Sequence, residues 1–235
     1  MEKERNEIEL HSLGDRSEKK RALVLCNGEM PSKALLDAES RRVDLVLCCD
    51  GAAEYALAMG VKVDYLIGDF DSLGAQRSEE FAAKLHCERL QWPEKKDNTD
   101  SQLAVDLAWK LGCRELIFLG ALGKRFDHAL ANAMLLIYCK QRGMDACVVD
   151  ERNIVRACCT HLFIHGKKGD YLSIVPIGVN VQICTTLGLE YPMYDRALQI
   201  GDSYSISNRF TEEQAYVEVA HGWVLVIQSW DESRF

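Results

Sequence analysis

Short apolar runs alternate with segments of helical periodicity from residue 21 to about residue 150. Strands that are buried on both faces of a parallel sheet appear as such runs, and helices that cover a sheet repeat their apolar residues every three or four positions. The alternation therefore predicts an α/β domain with a doubly wound, mostly parallel sheet. The predicted strands are residues 22–26, 45–49, 65–67, 88–90, 116–119 and 146–149. The predicted helices are residues 32–41, 52–59, 79–85, 99–111 and 127–142.

The helical period disappears after about residue 152, where short β-branched or aromatic runs are separated by Gly, Asp and Asn. Such runs are typical of a small antiparallel sandwich or barrel. They occupy residues 171–175, 179–183, 204–207, 216–219 and 223–228. We predict a flexible tail over residues 1–20, an α/β domain over residues 21–152 and a β-sandwich domain over residues 153–235.

The charge of the chain restricts its ligands and partners. Its 235 residues carry a net charge of -8. Duplex nucleic acid and anionic membranes are repelled by such a protein, so we expect neither as a partner. If the ligand is a polyanion such as ATP, an acidic protein must bring a cation to the site, and a metal requirement is then expected.

The ten cysteines form no metal-binding pattern, because none belongs to a CxxC pair and most lie in apolar runs. We interpret them as small buried hydrophobic residues in a reducing compartment. No apolar run reaches the length of a membrane span, and the polar first 20 residues do not resemble a signal peptide. These features predict a cytoplasmic protein.

Acidic residues follow the predicted strands at the points where the strands end. In doubly wound folds the ligand lies beyond the carboxyl ends of the strands, so residues at these points are candidates for the site. The candidates are Asp50 after the second strand, Asp69 and Asp71 after the third, Asp97 and Asp100 after the fourth, and Arg125, Asp127 and His128 after the fifth. Folding alone gives no reason to gather so many carboxylates at one edge.

Helix capping is an alternative explanation for part of this set. Asp50 and Asp127 are suited to cap helix N-termini, and residues 99–102 fit a capping box. Asp69 and Asp71 resist this explanation, because residues i and i+2 of an extended segment point to the same side and their charges repel unless a cation lies between them. Magnesium fits such a pair, since it prefers oxygen ligands and bridges carboxylates to phosphates.

Arg125 is the natural counterpart of these carboxylates. Its guanidinium can bind phosphate oxygens through two parallel hydrogen bonds, and an exposed ion pair is the alternative. His128 is as well suited to a structural role as to ligand contact. The glycines of residues 120–124 are too close together for a P-loop, and no G-x-G-x-x-G follows the first strand. A P-loop is thereby excluded, and a dinucleotide-dependent dehydrogenase is disfavoured.

Six short motifs lie in order along the chain. The first four are Cys-Asp-Gly-Ala around Asp50, Gly-Asp-Phe-Asp-Ser at 68–72, Asp-Asn-Thr-Asp at 97–100 and Arg-Phe-Asp-His at 125–128. The others are Thr-Leu-Gly-Leu-Glu-Tyr-Pro at 186–192 and the pair Ser207 and Asn208. Together they resemble the thiamin pyrophosphokinase family over nearly the whole chain beyond the tail. Three positions depart from that family's pattern: Lys124 and Ser205 replace an expected glycine, and Glu190 replaces a common lysine.

The resemblance implies a homodimer that transfers the terminal pyrophosphate of ATP to the hydroxyl of thiamin, giving thiamin diphosphate and AMP. It implies Mg2+ as the cofactor, held by Asp50, Asp69, Asp71 and Asp100. The implied ATP-binding residues are Asp50, Gly51, Asp97, Arg125 and His128, and the implied catalytic residues are Asp71, Asp100, Arg125 and Asp127. Thiamin is expected at the subunit interface, in contact with Tyr191, Ser207 and Asn208.

Two other functional hypotheses stay open. The aspartates specify pyrophosphate transfer but not its acceptor, so a pyrophosphokinase for another alcohol, such as a hydroxymethylpterin, is one alternative. A non-catalytic sensor that binds the nucleotide or thiamin is the other. The segment around Tyr191 and Ser207 favours thiamin. The number of aspartates favours catalysis, since binding alone needs fewer carboxylates.

Overall fold

The chain folds into two compact units. The computed structural model describes residues 19–70, 75–92 and 98–232. One unit comprises Lys19–Ala157 together with the segment that begins at Trp230, and the other comprises Cys158–Ser229. Most of the predicted tail, residues 1–18, lies outside the described residues. No helix in the described part of the chain is long and apolar enough to cross a membrane.

The first unit contains a seven-stranded sheet covered by helices. Its strands are β1 (Lys20–Leu25), β2 (Leu45–Cys49), β3 (Tyr65–Gly68), β4 (Glu88–Gln91), β5 (Cys113–Leu119), β6 (Asp145–Val149) and β7 (Asn153–Cys158). Its helices are α1 (Lys33–Ser40), α2 (Ala53–Met59), α3 (Ala75–Leu85), α4 (Asp100–Lys110) and α5 (Phe126–Gln141). The strand order is β7-β6-β5-β1-β2-β3-β4, and every neighbouring pair is parallel except β6 and β7. The predicted doubly wound, mostly parallel sheet is confirmed.

The position of β1 determines where a ligand can bind. The chain builds the sheet outward from β1, with β2 on one side and β5 on the other. Its last four residues, Ala22, Leu23, Val24 and Leu25, form an unbroken apolar run and are all fully buried, as expected of a central parallel strand. The order of connections reverses at this strand, so the loops after β1, β2 and β5 surround the crevice in which doubly wound folds bind their ligands.

Helix α4 begins with the predicted cap. The Thr99 hydroxyl accepts a hydrogen bond from the Gln102 N–H at 3.3 Å. The helix then buries Leu103, Ala104 and Ala108 on one face, as its i, i+4 spacing predicts. The cap fixes the point at which the preceding loop enters the helix.

We expect Thr99→Ala to lower the free energy of unfolding by about 1 kcal/mol, because the Gln102 N–H loses its acceptor at the helix terminus. Thr99→Ser retains a hydroxyl and is expected to unfold like the wild type. Urea denaturation followed by circular dichroism measures both differences. Equal stability of all three proteins would show that the cap contributes nothing.

The second unit is an antiparallel β-sandwich. Its strands are β8 (His161–His165), β9 (Tyr171–Leu187), β10 (Tyr194–Leu198), β11 (Asn208–Arg209) and β12 (Gln214–Ser229). Strand β12 pairs with β8 and β9, and β9 also pairs with β10 and β11, in each case antiparallel. Alternating residues of the two long strands, among them Leu172, Ile174, Val224 and Val226, form the core of this unit.

The strand boundaries predicted for this second unit are partly wrong. Residues 171–175 and 179–183 belong to the single strand β9, and residues 216–219 and 223–228 belong to the single strand β12. Gly178 and Gly222 have positive φ within these strands, so they bend the strands without ending them. The predicted strand 204–207 is a turn, and strands β7, β8, β10 and β11 were not predicted.

The boundary between the two units also differs from the predicted one after residue 152. Strand β7 pairs with β6 through Val155 and Val148, so it extends the first sheet. After β12 the chain re-enters the α/β unit. Trp230 packs into the core of that unit, and the Trp230 backbone N–H donates to the Arg152 carbonyl at 2.9 Å. The α/β unit is therefore assembled from two separate segments of the sequence.

Candidate active site

A cavity of about 460 Å3 lies at the carboxyl ends of β1, β2 and β5. Its volume falls within the range of small-molecule sites. The structure brings six of the predicted site residues to its wall: Asp50, Gly51, Asp69, Asp100, Arg125 and His128. Asp71 and Asp97 lie outside the described residues.

Close backbone contacts join the loops that follow β1 and β5. The Gly28 N–H donates to the Gly120 carbonyl at 2.6 Å, and the Glu29 N–H donates to the Leu122 carbonyl at 2.7 Å. A Cβ atom at Gly28 would lie 2.3 Å from the Leu122 oxygen, so no larger residue fits at this position. This contact fixes one wall of the cavity.

Asp50 is nearly fully buried, with 3% of its surface exposed, and begins a short 3-10 turn directly after β2. Gly68 packs against it, since a Cβ atom at Gly68 would lie 2.7 Å from the Asp50 Cβ. The alternative that Asp50 caps a helix is wrong. The N-cap positions of the turn and of α2 are Cys49 and Ala52, and neither position has a side-chain cap.

Phe70 separates Asp69 from Asp71 in an unexpected backbone conformation. Its φ is 62°, in the left-handed region, so the backbone at Phe70 is not extended, although the pairing argument for Asp69 and Asp71 assumed that it is. The Phe70 ring is buried in the core of the α/β unit, and the Arg89 guanidinium lies 4.3 Å from its centroid. Burial of the ring explains how a bulky residue is held in this conformation, which is rare away from functional loops.

Arg125 and Asp127 form a bidentate ion pair at the start of α5. Arg125 Nε donates to Asp127 Oδ1 at 3.1 Å, and Nη2 donates to Oδ2 at 2.6 Å. Asp127 lies within the first turn, where its carboxylate accepts the His128 N–H and does not cap the helix, so the capping alternative is wrong here too. The hydrogen bonds from Arg125 lower the pKa of Asp127 to about 2, and those to Asp127 raise the pKa of Arg125.

This ion pair is exposed and therefore contributes little to stability. Its effect is on orientation, because it fixes the plane of a guanidinium at the cavity wall. Since the Asp127 pKa is about 2, the pair stays ionised throughout the neutral pH range.

Several residues at the cavity wall were missed as site candidates in the sequence. They are Asn27, Gly28, Ser101 and Asn132. Asn27 and Gly28 directly follow the first strand, so the strand-end argument applied to the aspartates points to them as well. Asn132, whose amide donates to the Ala121 carbonyl at 2.8 Å, lies four residues after His128 on the same face of α5.

The carboxylates at the cavity fit a hard, oxygen-seeking cation. Asp50, Asp69 and Asp100 supply only oxygen atoms, whereas the Cys49 thiol, hydrogen-bonded to Cys26 and buried, has a pKa well above its usual value and stays protonated. Within residues 19–70, 75–92 and 98–232, no three His, Cys, Asp or Glu side chains are close enough to hold a metal ion by themselves. Mg2+ does not need a complete set of protein ligands, because it commonly keeps several waters and binds one or two carboxylates plus substrate phosphates.

The remaining predicted site residues lie in the β-sandwich unit. Tyr191 is 60% exposed. The Asn208 amide is occupied by the backbone of Tyr191: Oδ1 accepts from the Tyr191 N–H at 3.0 Å, and Nδ2 donates to its carbonyl at 2.8 Å. Ser207 has a φ of 57° and an exposed side chain. Asn208 thus fixes the segment that carries the Tyr191 ring.

Two residues of this unit differ from the pattern of the family that the motifs resemble, and they have different environments. Ser205 is buried, and its hydroxyl donates to the Ile174 carbonyl at 2.5 Å. A hydroxyl therefore occupies a position where glycine was expected, and its hydrogen bond is satisfied. Glu190 is exposed beside Tyr191.

The fold and the site together define an α/β enzyme with an acidic, arginine-bearing site at its switch point, joined to a β-sandwich unit. Two family models match the two units: "Thiamin pyrophosphokinase, catalytic domain" over residues 36–148 and "Thiamin pyrophosphokinase, vitamin B1 binding domain" over residues 160–224. The chain belongs to the thiamin pyrophosphokinase family.

Similar proteins carry the same name. Thiamine pyrophosphokinase of Bacillus subtilis is 28% identical over 169 residues, which are 70% of this chain and 77% of that protein. Thiamin pyrophosphokinase 1 of Caenorhabditis elegans is 28% identical over 194 residues, or 76% of each chain. The crystal structure of the Bacillus subtilis enzyme matches the fold with a TM-score of 0.78 at 22% identity, covering 90% of this chain and 100% of that one.

Proposed function

We propose that the cavity at the ends of β1, β2 and β5 is the site at which this chain transfers pyrophosphate from ATP to the hydroxyl of thiamin, giving thiamin diphosphate and AMP. The observation that carries this assignment is the convergence of Asp50, Asp69, Asp100 and Arg125 on one cavity. Carboxylates attract a divalent cation, and the guanidinium attracts phosphate, so together they suit a metal-bound triphosphate.

Magnesium is the cation that fits this donor set. One or two of the described carboxylates of Asp50, Asp69 and Asp100 would hold it together with water and substrate phosphates, and Asp71 is a further member of the predicted set. When bound, it would offset the negative charge of the triphosphate. A net charge of -8 makes such compensation necessary, because the protein otherwise repels its nucleotide.

The chain's own residues bind and orient the reacting groups. The hydroxyl oxygen of thiamin forms a bond to the β-phosphorus of ATP, the bond from that phosphorus to the α–β bridging oxygen breaks, and AMP leaves with the electron pair. Arg125 binds the phosphate oxygens, and Asp127 holds its guanidinium in plane through two hydrogen bonds. One carboxylate of the rim accepts the hydroxyl proton. Positioning and charge compensation supply most of the rate in transfers of this type.

Thiamin binding is assigned to the Tyr191 segment. The exposed Tyr191 ring offers an aromatic face to the thiazolium or the pyrimidine, and such a contact contributes on the order of 1 kcal/mol. Asn208 keeps the backbone of this segment in place through its two hydrogen bonds. Ser207 supplies a hydroxyl for the pyrimidine edge. A homodimer with thiamin at the subunit interface and a cytoplasmic location complete the proposal.

We expect Tyr191→Ala to raise the KM for thiamin about fivefold and to leave the KM for ATP unchanged, because the ring contributes on the order of 1 kcal/mol to thiamin binding alone. Tyr191→Phe, which keeps the aromatic face, is the matched control and should behave like the wild type. Steady-state kinetics with each substrate varied in turn measures both constants. Equal losses for the two substrates would indicate a packing defect.

The proposed function is tested directly by AMP release. The protein is incubated with ATP and Mg2+, and with thiamin, 6-hydroxymethylpterin or no acceptor. AMP formed only with thiamin supports the proposal. AMP formed only with the pterin would indicate a different pyrophosphokinase, and no AMP with either alcohol would indicate a binding protein without activity.

A further inference from the structure

Lys124 has a backbone conformation that is unusual for its residue type. Its φ is 51°, in the left-handed region, which glycine adopts without strain and lysine does not. The thiamin pyrophosphokinase pattern has glycine at this position, so the chain carries a side chain where the backbone favours none. Backbone strain of this kind concentrates at functional sites, so its occurrence at the cavity wall indicates a functional role for the Lys124 side chain.

The side chain of Lys124 is held at the cavity wall by two hydrogen bonds. Its ammonium donates to the Asn27 carbonyl at 3.1 Å and to Asn27 Oδ1 at 3.2 Å. Asn27 in turn packs on Gly51, where an added Cβ atom would lie 1.9 Å from the Asn27 Nδ2. The contacts therefore link the loops that follow β1, β2 and β5, and all three residues line the cavity.

Lys124 lies among charged side chains in the cavity wall. The described lining of the cavity carries three aspartates, Asp50, Asp69 and Asp100, and two basic side chains, Lys124 and Arg125. An ammonium has three donors, and Asn27 accepts two of them in the described part of the chain. The remaining donor and the flexible four-carbon stem leave the ammonium able to reach a phosphate oxygen.

We infer that Lys124 is a second phosphate-binding cation of this site, positioned by Asn27 and acting beside Arg125 on the phosphates of the nucleotide. This inference rests on the proposed occupation of the cavity by a nucleoside triphosphate. Arg125 provides a planar fork of donors held by Asp127, and Lys124 provides a compact ammonium group positioned by Asn27. The two cations partly offset the three carboxylates, so phosphate binding depends less on the metal ion alone.

The test is calorimetric titration of the full-length protein with MgATP, without thiamin. We expect Lys124→Met to weaken MgATP binding about tenfold, the effect of losing one charge-assisted hydrogen bond. The difference should shrink as the salt concentration rises, because an exposed charge is screened. Lys124→Arg keeps the charge and should bind within about threefold of the wild type.

Two further variants separate the charge from the backbone. Lys124→Gly removes the left-handed strain as well as the ammonium, so it should weaken MgATP binding as much as Lys124→Met without lowering the melting temperature. Lys110→Met removes an exposed lysine in the last turn of α4, outside the cavity, and should leave MgATP binding unchanged. Steady-state kinetics of Lys124→Met should show a higher KM for ATP and an unchanged KM for thiamin.

An unchanged MgATP affinity in Lys124→Met, or a loss of equal size in Lys110→Met, would overturn the inference. So would a wild-type protein that does not bind MgATP. A wild-type protein that binds MgATP but releases no AMP with thiamin would contradict the proposed function alone, because the calorimetric comparison still measures the contribution of Lys124.

Discussion

Asp50→Asn is expected to lower kcat/KM for ATP by about three orders of magnitude, since it removes a charge from the site of phosphate and metal binding. The side chain is buried and packs against Gly68, so the isosteric amide preserves the packing while removing the charge. The Mg2+ concentration that gives half-maximal rate should rise at the same time. AMP release at a series of Mg2+ concentrations measures both effects.

The matched control for this variant lies at the opposite end of the same strand. Asp44 precedes β2, and its carboxylate accepts the Arg21 N–H at 2.8 Å. An asparagine can keep that acceptor, so Asp44→Asn should retain wild-type activity.

Asp71→Asn, in the predicted metal pair, should lose activity as Asp50→Asn does. Near wild-type turnover in Asp50→Asn would remove this residue from the site.

Gly28→Ala is expected to lower the free energy of unfolding by about 3 kcal/mol, because the added methyl group overpacks a rigid contact. The new Cβ would lie 2.3 Å from the Leu122 oxygen and 2.4 Å from the Gly120 oxygen. Both are backbone atoms, so neither can move without separating the loops after β1 and β5. Chemical denaturation measures the stability loss, and ATP turnover should fall with it because these loops line the cavity.

Gly143→Ala separates this steric effect from an ordinary glycine effect. Gly143 has a φ of 72° and no atom within 4 Å of an added Cβ. Its replacement should cost about 1 kcal/mol through backbone strain alone and should leave turnover of ATP unchanged. If Gly28→Ala were no less stable than Gly143→Ala, the close contact between the two loops would be refuted.

The α/β unit could be predicted from sequence because its signals are local. Each buried strand is an apolar run, as Ala22 to Leu25 illustrate, and each helix repeats its apolar residues at its own period. The start of α4 was predicted to within one residue, because Thr99, the predicted first residue, is the N-cap and the helix begins at Asp100. The cap itself was predictable because it involves only Thr99 and Gln102. The start of α3 was placed too late because residues 75–78 include three polar residues that show no periodicity.

The β-sandwich unit was harder to predict because a glycine can either end a strand in a turn or lie at an irregularity within it. Gly178 and Gly222 resemble turn signals, yet both lie inside long strands whose pairing shifts register around them. Strand β7 was missed because it completes the first sheet by pairing with β6, and that partner is not evident from residues 153–158 themselves. Pairing between strands is a tertiary property that local patterns do not encode.

The site was partly predictable because the ends of parallel strands converge. That rule alone brought Asp50, Asp69 and Asp100 together, whatever their separation in sequence. It could not give the left-handed turn at Phe70, which follows from burial of the ring in the core. It also could not show that the Asn208 amide is hydrogen-bonded to the backbone of Tyr191, since that contact joins β11 to a segment 17 residues earlier in the chain.

We propose that a divalent ion and a triphosphate occupy the rim formed by these carboxylates. The most direct measurement is a crystal structure with Mn2+ and α,β-methylene ATP, in which the bond that breaks is replaced. We predict an anomalous peak about 2 Å from carboxylate oxygens of at least two residues among Asp50, Asp69, Asp71 and Asp100, with phosphate oxygens bound to the same ion. A nucleotide bound elsewhere, or one bound with no ion between these carboxylates, would rule out this role for the aspartates.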